Sequence, residues 1–126
     1  MSSSGVRGVR GATTVSEDSK EAIYEATAEL LTSICEANAM NTMDIASVLF
    51  SMTPDLRAAF PPEAARSKLG WHDVPLFAMQ EMSVRDSLPQ CIRVLVNWNT
   101  EKPQTQIEHV YLRGAVVLRQ DLVKKR

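Results

Sequence analysis

The spacing of apolar and polar positions divides the chain into segments of different period. From Val6 to Val15 the sequence VRGVRGATTV alternates small apolar and polar residues, the pattern of a strand whose glycines permit close backbone approach. A regular strand sends residues an odd number of positions apart to opposite faces. Arg7 and Arg10 are therefore expected on different sides of the sheet.

From Ser16 to about Asn38 the period changes. Ile23, Thr27, Leu30, Leu31 and Ile34 recur at intervals of three or four, which makes one apolar stripe on a long amphipathic helix. Glu17, Asp18 and Glu21 crowd its start, where negative charge suits the helix dipole, and Asp18 with Glu21 has capping-box spacing. After Asn41-Thr42 the run IASVLFSM, Ile45 to Met52, is nearly all apolar and predicts a buried strand stopped by Thr53-Pro54-Asp55.

Pro61 and Pro62 suit the first turn of a short helix reaching Leu69, with Gly70 as its left-handed cap. Val74 to Met79 reads as a third strand. Cys91 to Trp98, CIRVLVNW, alternates around Arg93 and is the clearest strand in the sequence. A turn near Lys102-Pro103 leads to a last extended segment, Glu108 to Leu118. These elements predict an α+β fold: a small mixed or antiparallel sheet with one long and one short helix.

Length and composition narrow the class. The 126 residues suit a single domain, 1–126, with 1–5 and 123–126 expected as flexible ends. Hydrophobic residues at 44% and charged residues at 23% are ordinary for a packed globular chain. A net charge of -1 gives no reason to expect a nucleic-acid partner. No apolar run is long enough for a membrane span, and the start Met-Ser-Ser-Ser-Gly lacks a signal-peptide core, so no membrane contact and a cytoplasmic location are expected.

Candidate chemistry is sparse. Cys35 and Cys91 form no CxxC pair, and His72 and His109 are the only histidines, a poor basis for a metal or redox centre. Cys91 and His109 can be drawn as nucleophile and base, but no third group orients them. Nine arginines against five lysines are more informative, because the planar guanidinium fork grips carboxylates and phosphates. A small anionic ligand is the inference.

Taken in order, several stretches resemble one family. RGVRGATTV (Arg7 to Val15), MTPDLRAAFP (Met52 to Pro61), GW followed by VPLFAMQEM (Val74 to Met82), CIRV (Cys91 to Val94), then HVYL and VVLRQDL (His109 to Leu122) resemble the small monofunctional chorismate mutases of the AroH class. The resemblance runs from about residue 7 to residue 122. It implies an enzyme that rearranges chorismate to prephenate on the route to phenylalanine and tyrosine, without metal or cofactor. It also implies a homotrimer with a barrel-like β core, helices outside, and active sites between subunits.

Carried over by motif, the resemblance implies that Arg93 faces the ether oxygen and that Glu81 accepts a hydrogen bond from the ring hydroxyl. Arg10 and Tyr111 would bind the enolpyruvyl carboxylate. Arg66 and Arg119 would act at the rim, and Phe60, Ala78 and Leu118 would line the pocket. A pericyclic reaction needs no nucleophile, which suits a chain poor in Cys and His; it needs a held conformer and stabilised charge. Two positions depart from the family pattern: Ala78 where a cysteine is frequent, and Glu63 where a lysine is common. The rival readings are a regulatory module that binds a small anion and a pure subunit-interaction protein. Glu81 discriminates against the first, because anion binding alone has no use for it.

Overall fold

The computed structural model describes residues 5–119. Of the expected flexible ends, 123–126 and residues 1–4 lie outside that span, whereas Gly5 already pairs with Thr100 in the first strand. The strands are β1 (Gly5–Thr14), β2 (Ile45–Met52), β3 (Leu76–Gln80), β4 (Cys91–Thr100) and β5 (Val110–Tyr111). They form one mixed sheet in the order β3-β2-β4-β1-β5. β4 lies antiparallel to both β1 and β2, while β2–β3 and β1–β5 run parallel. The helices α1 (Lys20–Asn38) and α2 (Pro62–Ser67) are the crossovers before β2 and β3, and they pack against each other. The α+β expectation is met.

Alternation along β4 divides the sheet into two faces. Ile92, Val94, Val96 and Trp98 are buried, whereas Arg93, Leu95 and Asn97 are half-exposed. Val94, Val96 and Trp98 pack with Val9, Val48 and Phe50 beneath Leu30, Leu31 and Ile34 of α1, and Ile92 packs with Val15, Ile23, Ala26 and Leu56. Each fully buried aliphatic or aromatic side chain contributes about 1.5–3 kcal/mol. The opposite face carries Val6, Leu49, Phe77, Met79 and Leu95 by register, and Phe77 is 62% exposed.

Gly11 sets how closely α1 and β5 approach β1. A Cβ there would meet Ile34 Cδ1 at 2.7 Å and the Val110 carbonyl oxygen at 3.2 Å. Gly11→Ala should therefore destabilise the fold by about 1–3 kcal/mol, read as a lower urea midpoint with an unchanged slope. An unaltered midpoint would show that the layers have slack at this point.

Four sequence expectations are corrected. The helix starts at Lys20, so Ser19 is the N-cap and accepts from the Ala22 N–H at 3.2 Å. Asp18 does not cap; it reaches across to accept from the N–H groups of Arg57 and Ala58, both at 2.9 Å. The third strand is Leu76–Gln80, shifted from Val74–Met79 because its pairing is dictated by β2. The segment from Glu108 to Leu118 is extended only at Val110–Tyr111, after which Arg113–Arg119 winds into a 3-10 helix. Arg113 turns at φ 52 and the Gly114 N–H donates to Thr14 Oγ1 at 2.9 Å. That turn folds the segment back, and Ala115 is buried with Ala12 and Cys91. Gly70 takes the expected left-handed turn, with φ 69 and its N–H donating to Arg66 O at 3.2 Å, but the short helix stops at Ser67 instead of Leu69 and its C-cap is Lys68.

Candidate active site

The open face of the sheet gathers most of the polar candidates. Register places Arg93 between Ala12 on β1 and Ser51 on β2, with Arg10 one pleat further along β1 on the same face. Glu81 follows β3 directly, and its N–H donates to Met52 O at 2.8 Å, which turns its carboxylate back over β2. There Oε1 accepts from Arg93 Nε at 2.8 Å and from Ser51 Oγ at 3.2 Å. The Glu81 side chain is 17% exposed and that of Arg93 38%.

This pairing allocates donors and acceptors. Among the described residues the Arg93 side chain hydrogen-bonds through Nε alone, which leaves its terminal Nη groups without a protein partner. Glu81 uses one oxygen on the protein and keeps Oε2 for another donor. Charge-assisted bonds of this kind are short and directional. Arg10, Ser51, Met79, Arg93 and Leu95 line a shallow cleft of about 290 Å³. Tyr111 lies beside Ala12 by register and, with Leu118, packs on the cluster of Ala12, Cys91 and Ala115. Arg10 and Arg93 thus share one cleft, with Glu81 bonded to Arg93, and Tyr111 and Leu118 pack on Ala12 and Cys91 next to it.

Phe60 and Ala78 stand apart from that group. Ala78 pairs with the buried Phe50 and so points to the other side of β3 from Met79. With Phe60, which is 74% exposed, it lines a second cleft of about 420 Å³ between β3 and the loop after β2. Arg66 lines neither cleft and pairs with Glu63 at 3.1 Å. The backbone of Arg119 ends the 3-10 helix, and its side chain lies outside the described residues.

Sequence reasoning missed Ser51 and Arg57. Ser51 sits in a run read as nearly all apolar, yet Ser47 and Ser51 are four apart and so share one face of β2. Arg57 lines the second cleft and carried no motif role. Cys91 is fully buried, and its thiol is pushed up to about 11, chiefly by burial, with Arg93 opposing and Glu81 and Asp55 adding. It is therefore a protonated core residue at neutral pH, not a nucleophile.

Comparison with known proteins decides among the readings. The family model for chorismate mutase type I matches residues 6–122. The chain belongs to the type I chorismate mutases. It is 54% identical over 118 residues to the chorismate mutase AroH of Thermus thermophilus, covering 93% of this chain and 96% of that protein. It is 50% identical over 117 residues to the chorismate mutase AroH of Bacillus subtilis, covering 93% and 92% respectively. A solved chorismate mutase from Clostridium thermocellum superposes with a TM-score of 0.85 at 45% identity, covering 87% of this mutase and 97% of that chain. Among the described residues of the mutase, no helix is long and apolar enough to cross a membrane.

Proposed function

We propose that this mutase acts as a homotrimer, with Arg10, Glu81, Arg93, Tyr111 and Leu118 of one chain facing Phe60 and Ala78 of the next across each active site. The reaction is the rearrangement of chorismate to prephenate, an isomerisation within aromatic amino-acid biosynthesis. The observation that carries the composite site is the division of these residues between the two sides of β3. Among the described residues, these side chains line two shallow, open clefts, while a substrate pocket normally buries most of its ligand. The uncovered apolar face of the sheet supports the same reading. A second copy seated on Val6, Leu49, Phe77 and Leu95 would give a barrel-like core with the helices outside, in a closed ring.

In this site the protein holds the dianion in its compact conformer and stabilises the charge that separates as the C–O bond breaks and the C–C bond forms. The Nη donors of Arg93 meet the negative charge developing on the ether oxygen. Glu81 Oε2 takes the ring hydroxyl, and its charge complements the positive charge on the ring. Arg10 and Tyr111 hold the enolpyruvyl carboxylate, and Arg66 and Arg119 draw in substrate from the rim. No bond to the protein forms at any stage. The cytoplasm is the compartment we infer for it.

The test is direct. Purified protein should consume chorismate, followed by absorbance, with no added metal or cofactor, and should sediment as three chains. A well-folded monomer with full activity would overturn the composite site.

The Glu63–Arg66 pair adds a prediction about capture. A glutamate within reach of a rim arginine lowers the local positive field, although an exposed pair holds weakly. Glu63→Gln should raise kcat/KM a few-fold at low ionic strength, and the gain should fade in high salt. A gain that ignores salt would point to a change of shape instead.

A further inference from the structure

We propose that His109 is a positioning residue for the reaction: its imidazole locks β5 to the peptide of Arg10 and thereby fixes Tyr111 against the Arg10 side chain. The inference rests on the placing of Arg10 and Tyr111 at the substrate carboxylate.

β5 is a two-residue parallel strand, with only Val110 and Tyr111 in register with Gly11 and Ala12. So short an edge pairing is weak by itself. Beyond it, side chains take the place of missing backbone partners. The Gln104 amide exchanges two bonds with Gly8, accepting from its N–H at 3.0 Å and donating to its carbonyl at 2.6 Å. Asn38, buried at the end of α1, accepts from the Glu108 N–H and donates to the Glu108 carbonyl, both at 2.9 Å. His109 Nδ1 accepts from the Arg10 N–H at 3.0 Å, and the Leu112 N–H donates to Ala12 O at 2.9 Å.

The His109 bond differs from the others in joining the segment directly to a proposed binding residue. It leaves from a position two residues before Tyr111 and lands on the peptide that carries the Arg10 guanidinium. Nδ1 can accept only in the neutral imidazole with its proton on Nε2. Burial first and then the Arg10 charge hold its pKa below the ordinary 6.5, while Glu108 pulls the other way. Arg10 on β1 and Glu108 on its own segment are the charged groups that bear on it, and Asn38 of α1 contributes a neutral amide through Glu108. Protonation would set N–H against N–H and break this tie between the β5 segment and β1.

The sign follows from linkage. A proton that binds the released or unfolded segment more readily than the locked one weakens the lock as pH falls from 6.5 through the lowered value, and leaves it intact above 6.5.

Three substitutions separate the roles. Asn at this position keeps an acceptor at the same bond distance from the backbone, Gln moves it one bond outward, and Leu removes it. His109→Leu and His109→Gln should raise KM for chorismate about tenfold, the loss of one well-placed hydrogen bond, with kcat changed much less. His109→Asn should restore KM at neutral pH and lack the rise in KM that the wild type is expected to show on acidification below 6.5. A wild-type KM and pH profile in His109→Leu, or equal impairment in His109→Asn, would overturn the proposal. Arg10→Ala and Tyr111→Phe are measured alongside. If they too leave KM unchanged, the placing of those residues falls; if they raise it while His109→Leu does not, only the lock falls.

Discussion

Arg93→Ala should lose at least about 10²–10³-fold in turnover while its circular dichroism, urea midpoint and sedimentation stay close to wild type. The side chain lies on the half-exposed face of β4, and its neighbours Ile92 and Val94 face the core, so truncation opens no cavity among packed residues. What it removes is the pair of terminal donors and the cation that aligns Glu81 through the 2.8 Å bond. Arg93→Lys should recover little, because one ammonium cannot serve Glu81 and the substrate in the two directions that the fork serves. Arg7→Ala is the control. It sits on the helix side of β1, where its Nε donates to Lys102 O at 3.0 Å, and its loss should leave kcat/KM nearly unchanged. Equal losses in the two alanine variants would mean that the faces of the sheet are misassigned.

Mixing two inactive variants should restore activity. Phe60→Asp places a carboxylate in the half-site that would face the substrate dianion, and like charges there should reduce turnover as severely as Arg93→Ala does. In a ring with head-to-tail contacts, a mixed trimer contains one junction where the intact Arg93 half of one chain meets the intact Phe60 half of another. Random reassortment at equal amounts therefore returns about a quarter of wild-type sites. The measurement is chorismate consumption after joint unfolding and refolding, against each variant refolded alone. If each site lay within a single chain, the mixture would stay as inactive as its components.

The legibility of this chain followed the range of the forces involved. The helix stripe from Ile23 to Ile34 and the alternation of Cys91 to Trp98 are local patterns, and both elements formed as expected. The boundary errors arose where a distant partner decides. Ser19 and Asp18 are both competent caps, and Asp18 is diverted because the loop at Arg57 and Ala58 presents two N–H groups to it. The stretch after Tyr111 is apolar enough for a strand, yet the Thr14 hydroxyl captures Gly114 and bends it. For the candidate site, the family motifs supplied the residues that the resemblance implies. The bond between Arg93 and Glu81 was invisible, since it depends on how the chain turns after β3. Ser51 was hidden by its apolar neighbours, and the His109 contact by a separation of 99 residues.

The parity of β3 has a consequence for how the enzyme can vary. Ala78 and Met79 are adjacent in sequence but point to opposite faces of the sheet, so that Ala78 lines only the second cleft while Met79 borders both. In a ring, those clefts belong to two different catalytic centres. A single-residue slip of this five-residue strand would exchange its faces and damage both centres at once. Insertions here are therefore expected to be tolerated far less than in the surface loops, and one defective chain would silence more than its own share of an assembly.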